Sequence, residues 1–218
     1  MRGSIRAMKA RFELEAVELA VHGGPMAATG GVAEAGRGPF AGPVGWAAVV
    51  LDPANIPDGI DDSKVLEADV RRSLCRQILA TSRVGIGVAN VDRIDADNIL
   101  NAALWAMAEA VRDLHLMPKL VLVDGNKIPS HVPCECRAIV QGDAKCLSIA
   151  AASIVAKVTR DTMMLELARS YPDYGFERHK GYGPAEHQAA IARHGVTPHH
   201  RRSFRPVQLA LGLAAAEA

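Results

Sequence analysis

Three acidic residues stand where predicted strands end. Glu34 lies in the segment "GVAEAGRGPFAGPV", Asp124 closes the apolar run "KLVLVDG", and Asp143 lies near the end of "CRAIVQGDAK". Acids at the carboxyl ends of neighbouring strands can converge on one point at the edge of a sheet. Taken singly, each acid is more typical of a solvated strand end or a helix cap, and spacing alone does not show convergence.

The three acids would offer only oxygen ligands, which suits a hard cation such as Mg²⁺ or Mn²⁺ better than Zn²⁺. Two such ions about 3.5–4 Å apart can activate water and stabilise the leaving oxygen in phosphodiester cleavage. Ala33 stands directly before Glu34, where a paired carboxylate would make the best chemical sense. A methyl group cannot bind a metal, so any metal site formed here would have no ligand at position 33.

The segment Gly36-Arg37-Gly38 follows at once. Two glycines around a basic residue let the backbone approach a phosphate or a sugar closely. The same residues, with Pro39 after them, are also typical of an ordinary turn. Both interpretations stay open from the sequence.

Basic residues form two groups near the C-terminal end of the chain. Arg and Lys would neutralise phosphates, and Tyr182 beside the first group would offer a flat face to a sugar or base. A solvated charged loop fits this composition equally well. The groups are Arg178, His179 and Lys180, and then His199, His200, Arg201, Arg202 and Arg205.

These residues must be positioned by a layered domain. Continuous apolar runs predict buried strands, and apolar residues at i, i+4 steps predict helices. Their order implies an α/β or α+β domain around a mixed sheet. The sequence predicts strands at 45–51, 84–91, 119–125 and 136–145, helices at 67–80, 95–116 and 148–171, and a short helix after Pro184.

The composition is that of an ordinary globular protein. The chain has 218 residues, of which 49% are hydrophobic, and a formal net charge of +1, so one domain with a sizeable core is expected. Glu13, Glu15 and Glu18 interrupt what would be the apolar core of a signal peptide, so the segment is interpreted as an N-terminal extension or element of the fold. No run is long enough to span a membrane, and a cytoplasmic location is the default expectation.

The four cysteines are Cys75, Cys134, Cys136 and Cys146. The close pair Cys134 and Cys136 has no second pair at the spacing that a structural zinc site needs. Reduced thiols in a reducing compartment are the better interpretation.

Taken together, seven segments in order resemble bacterial ribonuclease HII. A single motif of this kind would be weak, whereas the ordered set covers the chain from about Thr29 to Leu213. The segments are "GVAEAGRGPFAGPV", "DDSK", "LVDGN", "GD", "AASIVAKVTRD", "HKGYG" and "HHRRSF".

The resemblance implies an α/β fold with a ribonuclease H-like mixed β-sheet flanked by helices and a C-terminal helical part. The implied division is an N-terminal extension over residues 1–28, a catalytic domain over 29–213 and a tail over 214–218. It also implies a monomer that cleaves the RNA strand of RNA–DNA hybrids. The implied cut in duplex DNA lies 5′ of a single embedded ribonucleotide.

The family's catalytic set is four carboxylates in the order Asp, Glu, Asp, Asp, which act with Mn²⁺ or Mg²⁺. By resemblance, Glu34, Asp124 and Asp143 hold the last three roles, and the first role falls on Ala33. The sequence therefore predicts severe loss of cleavage with substrate binding largely kept. The alternative is a protein that binds RNA–DNA junctions and does not cut them.

Further positions match the family's substrate contacts. The Gly36-Arg37-Gly38 backbone is similar to the family's reader of the ribose 2′-hydroxyl. Tyr182 is similar to a tyrosine that packs on the deoxyribose 3′ of the ribonucleotide, and Lys64 matches a phosphate contact. The resemblance also leads us to expect a structural or supporting role for Asp161 and little effect of Pro184. Val65 replaces a second lysine of many relatives, which puts one phosphate contact in doubt.

Overall fold

The computed structural model describes residues 11–22, 29–132 and 134–213. The strands are β1 (Thr29–Ala35), β2 (Val44–Val50), β3 (Arg83–Ala89), β4 (Leu120–Asp124) and β5 (Glu135–Ile139). The α-helices are α1 (Glu13–His22), α2 (Ala68–Thr81), α3 (Val91–Arg112), α4 (Leu147–Ser170), α5 (Phe176–His179), α6 (Ala185–His194) and α7 (Arg205–Ala210). Short 3₁₀ helices span Gly142–Ala144 and Pro172–Tyr174.

The five strands form one sheet in the order β3-β2-β1-β4-β5. The pairs β1–β2 and β2–β3 are antiparallel, whereas β4 runs parallel to both β1 and β5. The predicted mixed sheet is confirmed. Because β1 and β4 are parallel neighbours, their carboxyl ends lie side by side at one edge of the sheet.

Helices cover both faces of the sheet. One apolar cluster joins α4 and α2 to the first face, and a second joins α3 to the other face. The packing is close, since a Cβ at Gly31 in β1 would lie 2.2 Å from the carbonyl carbon of Ser148 in α4. On the opposite face, a Cβ at Gly87 in β3 would lie 1.9 Å from the carbonyl oxygen of Ala106. Glycine at these positions lets the helix backbones lie directly on the strands.

The predicted C-terminal helical part packs on the second half of α4. Its core contains Met164 from α4, Tyr174, Phe176 and Ile191, and it reaches Ala41 in the connection between β1 and β2. The segment that follows β1 is therefore enclosed between the sheet and the C-terminal helices.

Two predicted elements have different boundaries. The helix predicted over 95–116 begins at Val91, and Asn98 interrupts it with φ +65°. The Asn98 side chain accepts hydrogen bonds from the N–H groups of Leu100 and Asn101 at 3.0 and 3.1 Å. Asn98 thus caps a second helical segment, which is a preferred use of asparagine. The helix also ends at Arg112 rather than at Leu116.

The strand predicted over 136–145 was too long, because β5 ends at Ile139. Gln141 then adopts a left-handed conformation with φ +56°, and the chain turns into the 3₁₀ helix that contains Asp143. Asp143 therefore lies in a turn after the strand and not within a strand.

Part of the N-terminal segment belongs to the folded body. Arg11 forms a parallel bridge with Cys146. Glu15 in α1 is 0% exposed, and its Oε1 accepts hydrogen bonds from the N–H and the hydroxyl of Ser148 at 2.8 and 2.6 Å. Within the described ranges, no helix has the length and apolar character to cross a bilayer.

We expect Glu15→Ala to lower the free energy of unfolding by about 1–2 kcal/mol, because a charged acceptor at the start of α4 is lost. Urea denaturation measures this change. Glu13→Ala is the matched control, since Glu13 is exposed and pairs only with Arg11 among the described residues. Equal stability of the two variants would contradict the expectation.

Candidate active site

The register of β1 and β4 determines which residues meet at the sheet edge. The last pair is Val32 with Val123, and one step further along the two strands lie Ala33 and Asp124. Strand alternation assigns both to the face covered by α4, since Leu122 lies on that face. Ala33 is 1% exposed and belongs to the apolar cluster. The position predicted to lack a carboxylate is therefore beside Asp124.

Asp124 and Asp143 lie close together. The Oδ1 atom of Asp124 accepts a hydrogen bond from the N–H of Gly142 at 2.9 Å. Burial raises the pKa of Asp124, and repulsion from Asp143 raises it further, against the opposing N–H of Gly142 and the charge of Lys64. The turn after β5 thus brings Asp143 to the end of β4, a proximity that the spacing of the two acids in the sequence did not show.

The ammonium group of Lys64 lies beside these two acids. Its Nζ donates to Oδ2 of Asp143 at 2.9 Å, and this hydrogen bond is the main cause of its raised pKa. Asp143 is buried, whereas the Lys64 side chain is largely exposed. An ammonium group on a flexible stem therefore supplies positive charge at the acidic end of the site.

Glu34 falls on the other face of β1 by alternation, opposite Trp46 of β2. Its Oε2 is buried, and no residue of the described chain forms a hydrogen bond with it. Burial raises the pKa of Glu34, while the charge and the N–H of Arg37 lower it. A cavity of about 50 Å³ at the end of β4 is lined in part by Arg37, Trp46, Asp124 and Lys127.

The donor set fits a hard cation in type but is incomplete. Glu34 has an unpartnered buried oxygen, and repulsion between Asp124 and Asp143 would be relieved by bound positive charge. Across residues 11–22, 29–132 and 134–213, however, no three His, Cys, Asp or Glu side chains are arranged to hold a metal ion. At the position beside Asp124, β1 presents the methyl group of Ala33.

The Gly36-Arg37-Gly38 segment begins the β1–β2 loop (residues 36–43). Gly36 is buried with φ +101°, and Arg37 and Gly38 are exposed. A Cβ at Gly38 would lie 3.6 Å from Cε1 of Tyr182, whose side chain is 49% exposed. The structure thus places the predicted ribose-reading segment and the predicted sugar-packing ring against each other.

The two basic groups are not solvated clusters throughout. Arg201 is 0% exposed, and its guanidinium donates to the carbonyl oxygens of Gly36 and Arg37 at 2.6 and 2.9 Å. The prediction that Arg201 neutralises phosphate from the surface is wrong, because its N–H groups are used by the β1–β2 loop. The exposed Arg178 forms ion pairs with Glu177 and Glu186.

Two buried histidines lie behind Tyr182. His187 Nδ1 and the carbonyl oxygen of Tyr182 are 2.6 Å apart, and the Nε2 atoms of His187 and His200 are 3.1 Å apart. Burial lowers the pKa of His200 to about 4. Sequence reasoning placed His200 in a charged group and did not single out His187, because a neutral histidine pair has no distinct spacing.

Asp161 lies on α4 and accepts a hydrogen bond from Lys157 at 2.6 Å. No described contact brings it to Asp124 or Asp143. A cavity of about 950 Å³ lies near Thr29, at the opposite end of β1, and none of the predicted site residues lines it.

Comparison with known proteins identifies the family. The sequence profile of ribonuclease HII matches residues 30–207. A ribonuclease HII of Xanthobacter autotrophicus is 55% identical over 191 residues, which make up 88% of this chain and 76% of that protein. A ribonuclease HII of Magnetococcus marinus is 56% identical over 82% of this chain and 84% of that protein.

Solved structures agree. The PCNA–ribonuclease HII complex from Archaeoglobus fulgidus matches with a TM-score of 0.70 and 25% identity, over 82% of this chain and 95% of that chain. Ribonuclease H2 from Pyrococcus horikoshii matches with a TM-score of 0.70 and 26% identity, over 84% of this chain and 96% of that chain. A ribonuclease HIII in complex with Mn²⁺, 19% identical with a TM-score of 0.65, shows the shared fold alone. The chain belongs to the ribonuclease HII family of endoribonucleases.

Proposed function

We propose that this chain binds duplexes at an RNA-to-DNA junction and hydrolyses the RNA strand 5′ of the ribonucleotide, with cleavage strongly impaired by Ala33. One observation carries the proposal. β1 leads directly from the position beside Asp124 into a loop in which a Cβ at Gly38 would be in van der Waals contact with the ring of Tyr182. A carboxylate site and a sugar-reading surface are therefore adjacent.

Recognition would use the exposed part of the β1–β2 loop. The backbone at Gly38 is open to solvent and can hydrogen-bond a 2′-hydroxyl, the group that distinguishes RNA from DNA. Tyr182 presents a half-exposed ring beside it, on which the next sugar can pack. The exposed Arg37 adds positive charge for a phosphate. Together these groups favour a ribose followed by a deoxyribose.

Hydrolysis would use Glu34, Asp124 and Asp143 as ligands for Mn²⁺ or Mg²⁺. When bound there, two such ions would supply an activated water and stabilise the leaving oxygen. The positive charge of the ions would relieve part of the repulsion among the acids. The ammonium group of Lys64 would contribute further positive charge at Asp143. Ala33 removes one oxygen donor beside Asp124, which explains why binding should survive better than cleavage.

A non-cleaving junction-binding protein is the second candidate function. Ala33 favours it, because position 33 lacks a carboxylate while Gly36, Arg37, Gly38 and Tyr182 of the proposed recognition surface are all present. The two functions share their contacts with the substrate and differ in whether hydrolysis occurs. The resemblance further implies a monomer, and sedimentation of the purified chain tests this oligomeric state.

Binding to three duplexes of one sequence tests the recognition step. The duplexes are all-DNA, DNA with one ribonucleotide, and an RNA–DNA hybrid, measured by fluorescence anisotropy in Mg²⁺. We expect tighter binding to the duplex with one ribonucleotide than to all-DNA. Equal affinity for all three would contradict junction recognition.

Tyr182→Ala should weaken binding to the single-ribonucleotide duplex about tenfold, or about 1.4 kcal/mol, which is the loss expected for one packed aromatic ring. The same titration measures the change. Tyr182→Phe is the matched control, because it keeps the flat face and should bind like the parent chain. If Tyr182→Ala binds as tightly as Tyr182→Phe, the ring does not contact the substrate.

A further inference from the structure

Two arginines are buried beneath the β1–β2 loop. Arg160 of α4 is 2% exposed and Arg201, just before α7, is 0% exposed. Buried charges are normally paired with acids, because an unpaired charge is costly to remove from water. Within the described ranges, no ion pair includes Arg160 or Arg201. Arg160 and Arg201 together form the arginine pair.

Arg201 is hydrogen-bonded entirely to backbone. Its Nη2 donates to the carbonyl oxygens of Gly36 and Pro43 at 2.6 and 3.1 Å. Its Nη1 donates to the carbonyl oxygen of Arg37 at 2.9 Å, and its Nε donates to the carbonyl oxygen of Gly42 at 2.9 Å. One planar group thus fixes carbonyls at both ends of the loop.

Arg160 completes the arrangement from the side of α4. It donates to the carbonyl oxygens of Pro43, Ala41 and Lys180 at 3.0, 3.2 and 3.0 Å. A Cβ at Gly36 would lie 1.9 Å from Arg160 Nε. The loop therefore lies directly on this guanidinium, and Lys180 connects it to the segment that carries Tyr182.

The inward carbonyls determine where the loop's N–H groups point. In a trans peptide the C=O and the following N–H point in opposite directions. Arg201 holds the carbonyls of Gly36 and Arg37 inward, so the N–H groups of Arg37 and Gly38 are directed away from the arginine pair. Burial raises the pKa of Glu34, and a hydrogen bond from the N–H of Arg37 opposes this rise, so that N–H lies on the side of the carboxylates.

The charges of the arginine pair act in the same direction. The acids that influence them electrostatically are Glu34, Asp95 and Asp161. None of these makes a direct ion pair with either arginine among the described contacts. Two guanidinium charges therefore remain beneath the surface to which a nucleic-acid phosphate would bind, and a bound anion would be stabilised there.

We propose that Arg160 and Arg201 are positioning residues for ribose discrimination, which orient the amides of the β1–β2 loop towards the substrate and place positive charge beneath it. This inference rests on the proposed function. Neither arginine needs to touch the nucleic acid. Their effect would be seen as a preference for a ribonucleotide over a deoxyribonucleotide at one position.

The test uses Arg201→Lys and Arg160→Lys, which keep the charge but lose the planar set of donors. The readout is the ratio of the dissociation constants for the all-DNA duplex and the single-ribonucleotide duplex. We expect each variant to lower this ratio at least tenfold, with less than a twofold change in affinity for all-DNA. A role in stability alone would not change the ratio of a folded variant.

Arg169→Lys is the matched control, because Arg169 is exposed on the same helix as Arg160. Circular dichroism at the assay temperature establishes which variants are folded. A folded Arg201→Lys or Arg160→Lys that keeps the parental ratio overturns the inference, and so does loss of folding in both. If the parent chain itself shows no preference for the ribonucleotide, the proposed function has failed instead.

Discussion

Ala33→Asp is expected to increase cleavage of a single-ribonucleotide duplex at least 100-fold in the presence of Mn²⁺. Loss of a group that only supports a metal ligand costs about 10- to 100-fold, and a carboxylate beside Asp124 would be a ligand itself. Gel electrophoresis of a labelled duplex measures the rate and the position of the cut. The cut should lie 5′ of the ribonucleotide.

Ala33→Asn is the matched control, because it has nearly the same shape without the negative charge. It should remain as slow as the parent chain. Ala33→Asp combined with Asp124→Asn should also be slow, since it removes the neighbouring acid. If Ala33→Asp gives no cut at the ribonucleotide, the enzymatic function fails for this chain. Equal and fast cleavage by the parent chain and Ala33→Asp refutes the role of position 33.

The same substitution should make stability depend on metal. Ala33 is 1% exposed and lies beside Asp124, whose pKa burial and Asp143 already raise. A further buried carboxylate is costly without a bound cation. Ala33→Asp should therefore unfold at lower temperature than the parent chain in EDTA and gain more from added Mn²⁺. Identical shifts in the two proteins would contradict binding at this position.

The second large effect is a loss of stability in acid through the buried histidines. His200 Nδ1 accepts the N–H of Thr197 at 2.9 Å, so the ring carries its proton on Nε2 and donates it to His187. His187 in turn donates from Nδ1 to the carbonyl of Tyr182. Protonation of either ring would place two N–H donors against each other.

The direction follows from the pKa values. Burial lowers the pKa of His200 from 6.5 to about 4. Between these values the unfolded chain binds a proton that the folded chain does not, so stability falls as pH falls from about 6.5 to about 4. The shift corresponds to about 3 kcal/mol. Urea denaturation at pH 7 and at pH 4.5 measures the loss.

A comparison of variants isolates this contribution. Glu34 and Asp124 have raised pKa values and change stability in the opposite direction, so the total slope is not the measure. His200→Asn can still accept from Thr197 and should depend less on pH than the parent chain. His115→Gln, at an exposed position, should keep the parental dependence. Equal pH dependence of His200→Asn and the parent chain would falsify the assignment.

The fold could be predicted from the sequence because the strong signals were local. Continuous apolar runs marked β2 and β4, and apolar spacing marked α2 and most of α3. The predicted boundaries of α3 and β5 were wrong where a single residue adopts a left-handed backbone conformation. Gln141 and Asn98 have positive φ angles, which no periodicity announces.

The candidate site could be predicted only in part. The sequence placed Asp124 at the end of a strand, and the resemblance pointed to the residues around it. The burial of Arg201 could not be predicted, because its partners are carbonyl oxygens of residues 36–43, more than 150 positions away along the chain. Backbone acceptors leave no mark on the sequence. Glu15 could not be singled out for a related reason, because its carboxylate accepts from a backbone N–H group, that of Ser148 in α4.

The order of the strands has a consequence for how the protein folds. β1, β2 and β3 pair in the order in which they follow one another along the chain. β1 also pairs with β4, but β2, α2, β3 and α3 separate these two strands in the sequence. Loop closure over such a distance is slow relative to local pairing. We expect the β1–β2–β3 meander to form first during synthesis and β4 to join it later. Ala33 and Asp124 lie on either side of that late junction, so the proposed metal site would be assembled among the last parts of the molecule.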